Sequence, residues 1–148
     1  METGVNQLGF LSWYSPIGPD GAHPLYYGML AFSLASRGDR IQATLENAGI
    51  NLTAYAVRSD RGGIWLTLVN KEATRDARVR VTCPEVSVAH VLRLTGPSLT
   101  SKDGVLLGGA PVSSAGKWTP SPSPSERVIG GEVEIAIPAA SAALVELK

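Results

Sequence analysis

The chain has 148 residues, 44% of them hydrophobic and 18% charged, with thirteen basic residues balancing thirteen acidic ones. That length supports one domain with a real core, and a formal net charge of zero argues against nucleic-acid and anionic-membrane partners, which select for basic stripes. The single cysteine, Cys83, excludes an internal disulfide framework, and no apolar run reaches the roughly 18 residues that a membrane-crossing helix needs.

Met1–Asn6 has neither a charged n-region nor an apolar h-region, so no signal peptide is expected there. Residues 1–22 read as a loop. Ser15-Pro16 and Pro19-Asp20-Gly21 are turn signals, yet Leu8, Phe10, Leu11, Trp13 and Ile17 lie between them. So much apolar surface in a loop implies a partner surface. Residues 24–36 predict a helix, with Pro24 at its first position and Gly38 as its stop signal. Leu25, Met29 and Phe32 share one face, and Tyr26, Leu30 and Leu34 the next. A helix apolar over most of its circumference needs cover on several sides, more than one small domain supplies.

Beyond Gly38 the hydrophobic period changes to two. Strands are predicted at 40–46, 52–58, 64–70, 78–83, 86–94, 132–137 and 143–147, separated by turn residues such as Asp60-Arg61-Gly62-Gly63 and Gly130-Gly131. The fold class is therefore mainly β, an antiparallel sandwich of about seven to eight strands preceded by one helix. The stretch from Thr95 to Gly131 breaks the rhythm and holds the Pro/Ser tract 119–125, with short strands expected near 105–107 and 110–112.

No catalytic constellation emerges. Glycoside hydrolysis, for example, needs two carboxyl groups flanking a cleft, one with its pKa raised. Here Glu132 and Glu134 alternate with core positions on a strand, Asp20, Asp60, Asp76 and Asp103 lie in turns, and Glu46 and Glu146 end strands. His23, His90 and Cys83 form no metal-ligand pattern, and no phosphate-binding glycine motif or nucleophile elbow is present. No cofactor or metal is implied. Cys83 ends the alternation Val79, Val81, Cys83 and reads as a strand residue. Trp13, Tyr14, Trp65 and Trp118 are candidate sugar-stacking rings, although Trp65 is better explained by sheet packing and Trp118 as an anchor for the irregular segment. Asn51-Leu52-Thr53 matches the N-glycosylation pattern.

Two stretches, read together, carry a family resemblance. One is Trp13-Tyr14-Ser15-Pro16-Ile17 followed by residues 24–32; the other runs from Val91 through Thr95-Gly96-Pro97 and Leu107-Gly108-Gly109 to Gly116-Lys117-Trp118. Both resemble the C-terminal part of glycoside hydrolase family 79, the β-glucuronidase and heparanase-like enzymes, as does the ending 138–145. The resemblance implies that residues 1–37 are the end of a (β/α)8 catalytic barrel and residues 39–148 its C-terminal β-sandwich. It implies a secreted parent enzyme whose two glutamates lie outside this chain. The chain is then no enzyme by itself but a non-catalytic accessory domain that packs on and stabilises a barrel of the same or a companion chain. Tyr14, in the loop after the last barrel strand, is the one candidate substrate-binding residue. The family's sandwich also takes strand material from the segment ahead of its barrel, which implies an open edge or an exposed apolar face here. A carbohydrate-binding module and a protein-interaction sandwich are the competing readings.

Overall fold

The structure, a computed structural model, describes residues 16–18, 21–46 and 49–148. A two-residue hairpin, β1 (Ile17–Gly18) with β2 (Gly21–Ala22), leads into helix α1 (Pro24–Ala35). Pro24 starts the helix because its missing N–H is one no helix start can use. The helix ends at Ser36, without a left-handed cap. Gly38, with φ +131°, instead opens β3, where its missing Cβ leaves room for the Arg58 carbonyl.

The main sheet is antiparallel and follows the order β3 (Gly38–Ile41), β4 (Leu52–Ser59), β5 (Ile64–Asn70), β11 (Ser141–Leu147), β7 (Val88–Thr95), β8 (Leu106–Leu107). A further short strand, β9 (Glu126–Arg127), pairs with the start of β7. The chain's last strand is thus the central one, hydrogen-bonded to β5 on one side and β7 on the other. This placement explains its nearly continuous apolar sequence: Ala143, Val145 and Leu147 face one layer, Ala142 and Leu144 the other, and all are buried. Among the described residues, the second sheet has two strands, β6 (Ala77–Thr82) and β10 (Glu132–Ile137), paired antiparallel.

Two cores result, one on each face of the main sheet. Between the sheets, Leu66, Leu68, Val91 and Val145 meet Ala77, Val81, Val133, Ile135 and Ile137. On the opposite face, α1 and the segment around 105–118 cover Trp65, Leu92, Leu94 and Leu144. The helix turns Tyr27, Ala31 and Ala35 toward the sheet, one turn apart each, and the small alanines let its backbone approach closely.

The predicted alternation at 64–70 and 132–137 corresponds to strands with those bounds. The predicted strand at 40–46 differs: pairing stops at Ile41, and residues 42–46 continue without a ladder partner among the described residues, although Ala43 and Leu45 still pack on the core. The irregular segment after Thr95 is built onto the fold. Trp118 Nε1 donates to the Leu107 carbonyl at 2.9 Å, the Val112 N–H donates to the Tyr27 hydroxyl at 2.9 Å, and β8 closes a bridge between Leu107 and Ala110.

Candidate docking surfaces

Among the described residues, the carboxylates do not assemble a reaction centre. Glu132 and Glu134 project from the exposed face of β10, and Glu134 accepts from Arg78 at 3.3 Å. Glu146 pairs with Lys148 at 2.9 Å; Glu46, Asp60, Asp76 and Asp103 are exposed. Glu72 accepts hydrogen bonds from the Arg75 guanidinium and from the Asn51 N–H, and these hold its carboxyl below the ordinary carboxylate value. A general acid needs the opposite shift. Among the described residues, no group of three His, Cys, Asp or Glu side chains is placed to hold a metal ion.

Among the described residues, the aromatic side chains form no sugar platform either. Trp65 and Trp118 are half-buried in the outer core, as packing and anchoring residues. Tyr55, on β4, is 55% exposed, and its place between Ala54 and Ala56 in the sequence carries no signal of this. Tyr14, Trp13 and Asp20 lie outside the described residues. Cys83 follows β6 as a free, half-buried thiol.

What the fold does present is incomplete burial at two places. The first is α1. Its stripe Leu25, Met29 and Phe32 is 46%, 51% and 72% exposed, on a helix with no charged residue from Pro24 to Ala35. The face one step around, Tyr26, Leu30 and Leu34, is half-buried on the outer core. Exposed stripes of this kind mark contact surfaces.

The second lies between the sheets. A cavity of about 820 Å³ separates the inner face of β4 and β5 from β6. Leu52, Ala56, Leu66 and Leu68 form one wall, and Ala77, Val79 and Val81 the other. The unpaired stretch 41–46 borders it. Among the described residues, β6 has a partner on one edge only, with β10 as its neighbour in the sheet. The Cys83 N–H donates to the Gly131 carbonyl at 2.7 Å. With period-two alternation, this directs the backbone groups of Ala77, Val79 and Val81 toward β10 and those of Arg78, Arg80 and Thr82 toward the open edge. The cavity thus combines an apolar floor with an unfilled hydrogen-bonding edge, the two requirements of an extended strand.

Known proteins share the fold. Residues 50–144 match the family model described as the glycosyl hydrolase family 79 C-terminal beta domain. Among solved structures, a 4-O-α-L-rhamnosyl-β-D-glucuronidase from Fusarium oxysporum 12S is similar, with 23% identity and a TM-score of 0.73 over 90% of this chain. A GH51 arabinofuranosidase from Xanthomonas axonopodis pv. citri (19% identity, TM-score 0.50) covers 74% of this chain, which spans 21% of that enzyme. A GH30 xylanase C catalytic domain from Talaromyces cellulolyticus (18% identity, TM-score 0.50) covers 80% of this chain and is spanned over 22% of its own length. The present chain spans 32% of the Fusarium enzyme. No curated protein sequence matches it.

Proposed function

Because the chain belongs to the glycosyl hydrolase family 79 C-terminal β-domain family, we propose that it is the non-catalytic accessory domain of a β-glucuronidase-like glycoside hydrolase, packing on and stabilising a (β/α)8 barrel whose catalytic part is carried by polypeptide outside these 148 residues. The observation that carries this reading is the exposed stripe Leu25, Met29 and Phe32 on a helix already anchored to the sandwich through its opposite side. A helix placed so is shared between two bodies: Tyr27, Ala31 and Ala35 belong to the sandwich core, and the stripe belongs to the barrel. On this reading residues 1–37 are the end of the barrel, residues 39–148 are the sandwich, and Tyr14 is a contact for the sugar. The whole enzyme cleaves an O-glycosyl bond by double displacement, through two glutamates of the barrel. The cavity beside β6 takes a strand of the same barrel-bearing polypeptide.

Fully burying a Leu, Met or Phe side chain contributes about 1.5–3 kcal/mol. The exposed fractions of Leu25, Met29 and Phe32 leave about half of that, or more, still to be gained. The test is to purify the chain, titrate it with a family 79 barrel fragment that lacks its sandwich, and assay a chromogenic β-glucuronide. The chain alone is expected to be inactive. The barrel fragment is expected to bind it and to gain activity or thermal stability, and L25S/M29S/F32S to weaken binding at least tenfold. Hydrolysis by the chain alone, or unchanged binding by the triple variant, overturns the proposal.

A further inference from the structure

The strand-shaped gap beside β6 is not neutral toward its occupant. The side chains of β6 that point to solvent are Arg78, Arg80 and Thr82, all exposed, and they border the cavity. On the β10 side one of the two arginines, Arg78, has an ion-pair partner. Glu134 stands directly opposite Arg80 and accepts from Arg78 at 3.3 Å. The remaining cross-strand partners are Ala136 opposite Arg78 and Glu132 opposite Thr82. Across the gap, Gln42 and Thr44 are neutral, with Glu46 at the end of that stretch. The open edge of β6 therefore presents two guanidiniums, of which Arg78 is paired with Glu134.

We propose that Arg78 and Arg80 select the strand that completes the second sheet: an extended segment of about six residues, apolar on alternate positions toward the cavity and acidic on the positions toward solvent. This inference rests on the reading that the gap takes a strand, and adds which strand. Side chains directly opposite on neighbouring strands attract when oppositely charged and repel when alike. Because side chains alternate strictly, every register that keeps apolar residues inward sets the outward residues beside Arg78 and Arg80. The same charges discriminate against a second copy of this chain. Antiparallel pairing of two β6 edges brings arginine against arginine, one of the ways exposed edges avoid self-association.

The experiment uses the full chain and two labelled peptides that share alternating Val and Ile but carry either Glu or Lys at the outward positions. Binding is followed by fluorescence anisotropy at low and high salt, and folding of each variant is checked by far-ultraviolet circular dichroism. The Glu peptide is expected to bind roughly tenfold tighter than the Lys peptide, from two favourable pairs in place of two unfavourable ones. The preference is expected to shrink with salt, as screening predicts for exposed charges. R78E/R80E is expected to reverse the order of the peptides, and R78Q/R80Q to abolish it. Equal binding of both peptides, unaltered by R78E/R80E, overturns the charge selection while leaving the strand-accepting gap in place. Binding of neither peptide overturns the strand reading, and the selection with it.

Discussion

Asn70 closes β5 at 1% exposure, and its replacement is the sharpest available test of how the two sheets are joined. Its side-chain amide donates toward the carbonyls of Arg75 (2.8 Å), Pro138 (3.1 Å) and Ile137 (3.2 Å), and its Oδ1 accepts from the Glu72 N–H at 3.1 Å. One residue of the main sheet therefore holds both the turn that leads into β6 and the end of β10. An amide nitrogen has two hydrogens, so at most two of the three carbonyls are fully served at once. Pro138 also accepts from the Ser141 hydroxyl at 2.7 Å, so the loss on deletion falls mainly on the Arg75 carbonyl and the Glu72 N–H. Each polar group left without a partner costs about 1–3 kcal/mol, and the groups are only part-buried, so Asn70→Ala is expected to cost about 3 kcal/mol. With a urea slope of about 2 kcal/mol per molar, the unfolding midpoint falls by about 1.5 M. Asn70→Asp separates hydrogen bonding from volume. Its carboxylate keeps the Glu72 N–H but turns an acceptor toward three carbonyl oxygens, so at neutral pH it is expected to be less stable than the alanine variant. Burial and those carbonyls raise the carboxyl pKa in the folded state. The folded form then binds the extra proton more readily, and the deficit narrows as pH falls. Urea titrations followed by tryptophan fluorescence at neutral and acidic pH measure both effects. A midpoint for Asn70→Ala within 0.3 M (about 0.6 kcal/mol) of the parent, or an Asn70→Asp deficit that does not change with pH, refutes this account.

Two further outcomes follow from individual contacts. Glu72→Gln removes the carboxylate whose folded-state pKa is depressed by Arg75 and the Asn51 N–H. A depressed carboxyl contributes stability that is present above its unfolded pKa and lost as pH falls through the folded value. The parent's advantage over Glu72→Gln is therefore expected near neutrality and to vanish in acid, as read by thermal melts across pH. Trp118→Phe keeps an aromatic ring but deletes the Nε1–H bond to the Leu107 carbonyl. It is expected to cost about 1 kcal/mol and to raise hydrogen exchange at the amides of Leu107, Ala110 and Val112, with little change in the strands of the inner core. Unchanged exchange at those amides contradicts the anchoring role.

Much of the sandwich was legible in the chain because a strand with one buried face must alternate. Glu132–Ile137 shows this directly, with its acids exposed and its valine and isoleucines buried. The family was legible too, from residue patterns that carry no catalytic group. Sequence also marked α1 as too apolar for one small domain, but not which stripe stays open. That depended on the sheet to which Tyr27, Ala31 and Ala35 are fitted. The alternation of 40–46 promised a full strand, and only the tertiary structure decided that its ladder ends at Ile41. Period two reports which side chains turn inward; it does not report whether a neighbouring backbone is there to pair. For the same reason the chain's own pattern did not locate the gap beside β6. An open edge leaves no trace in the sequence of the strands that flank it until those strands are placed in space. The arginines at 78 and 80 were visible throughout as the polar half of an alternation, and acquired a direction only when β10 was found on one side of them and a cavity on the other.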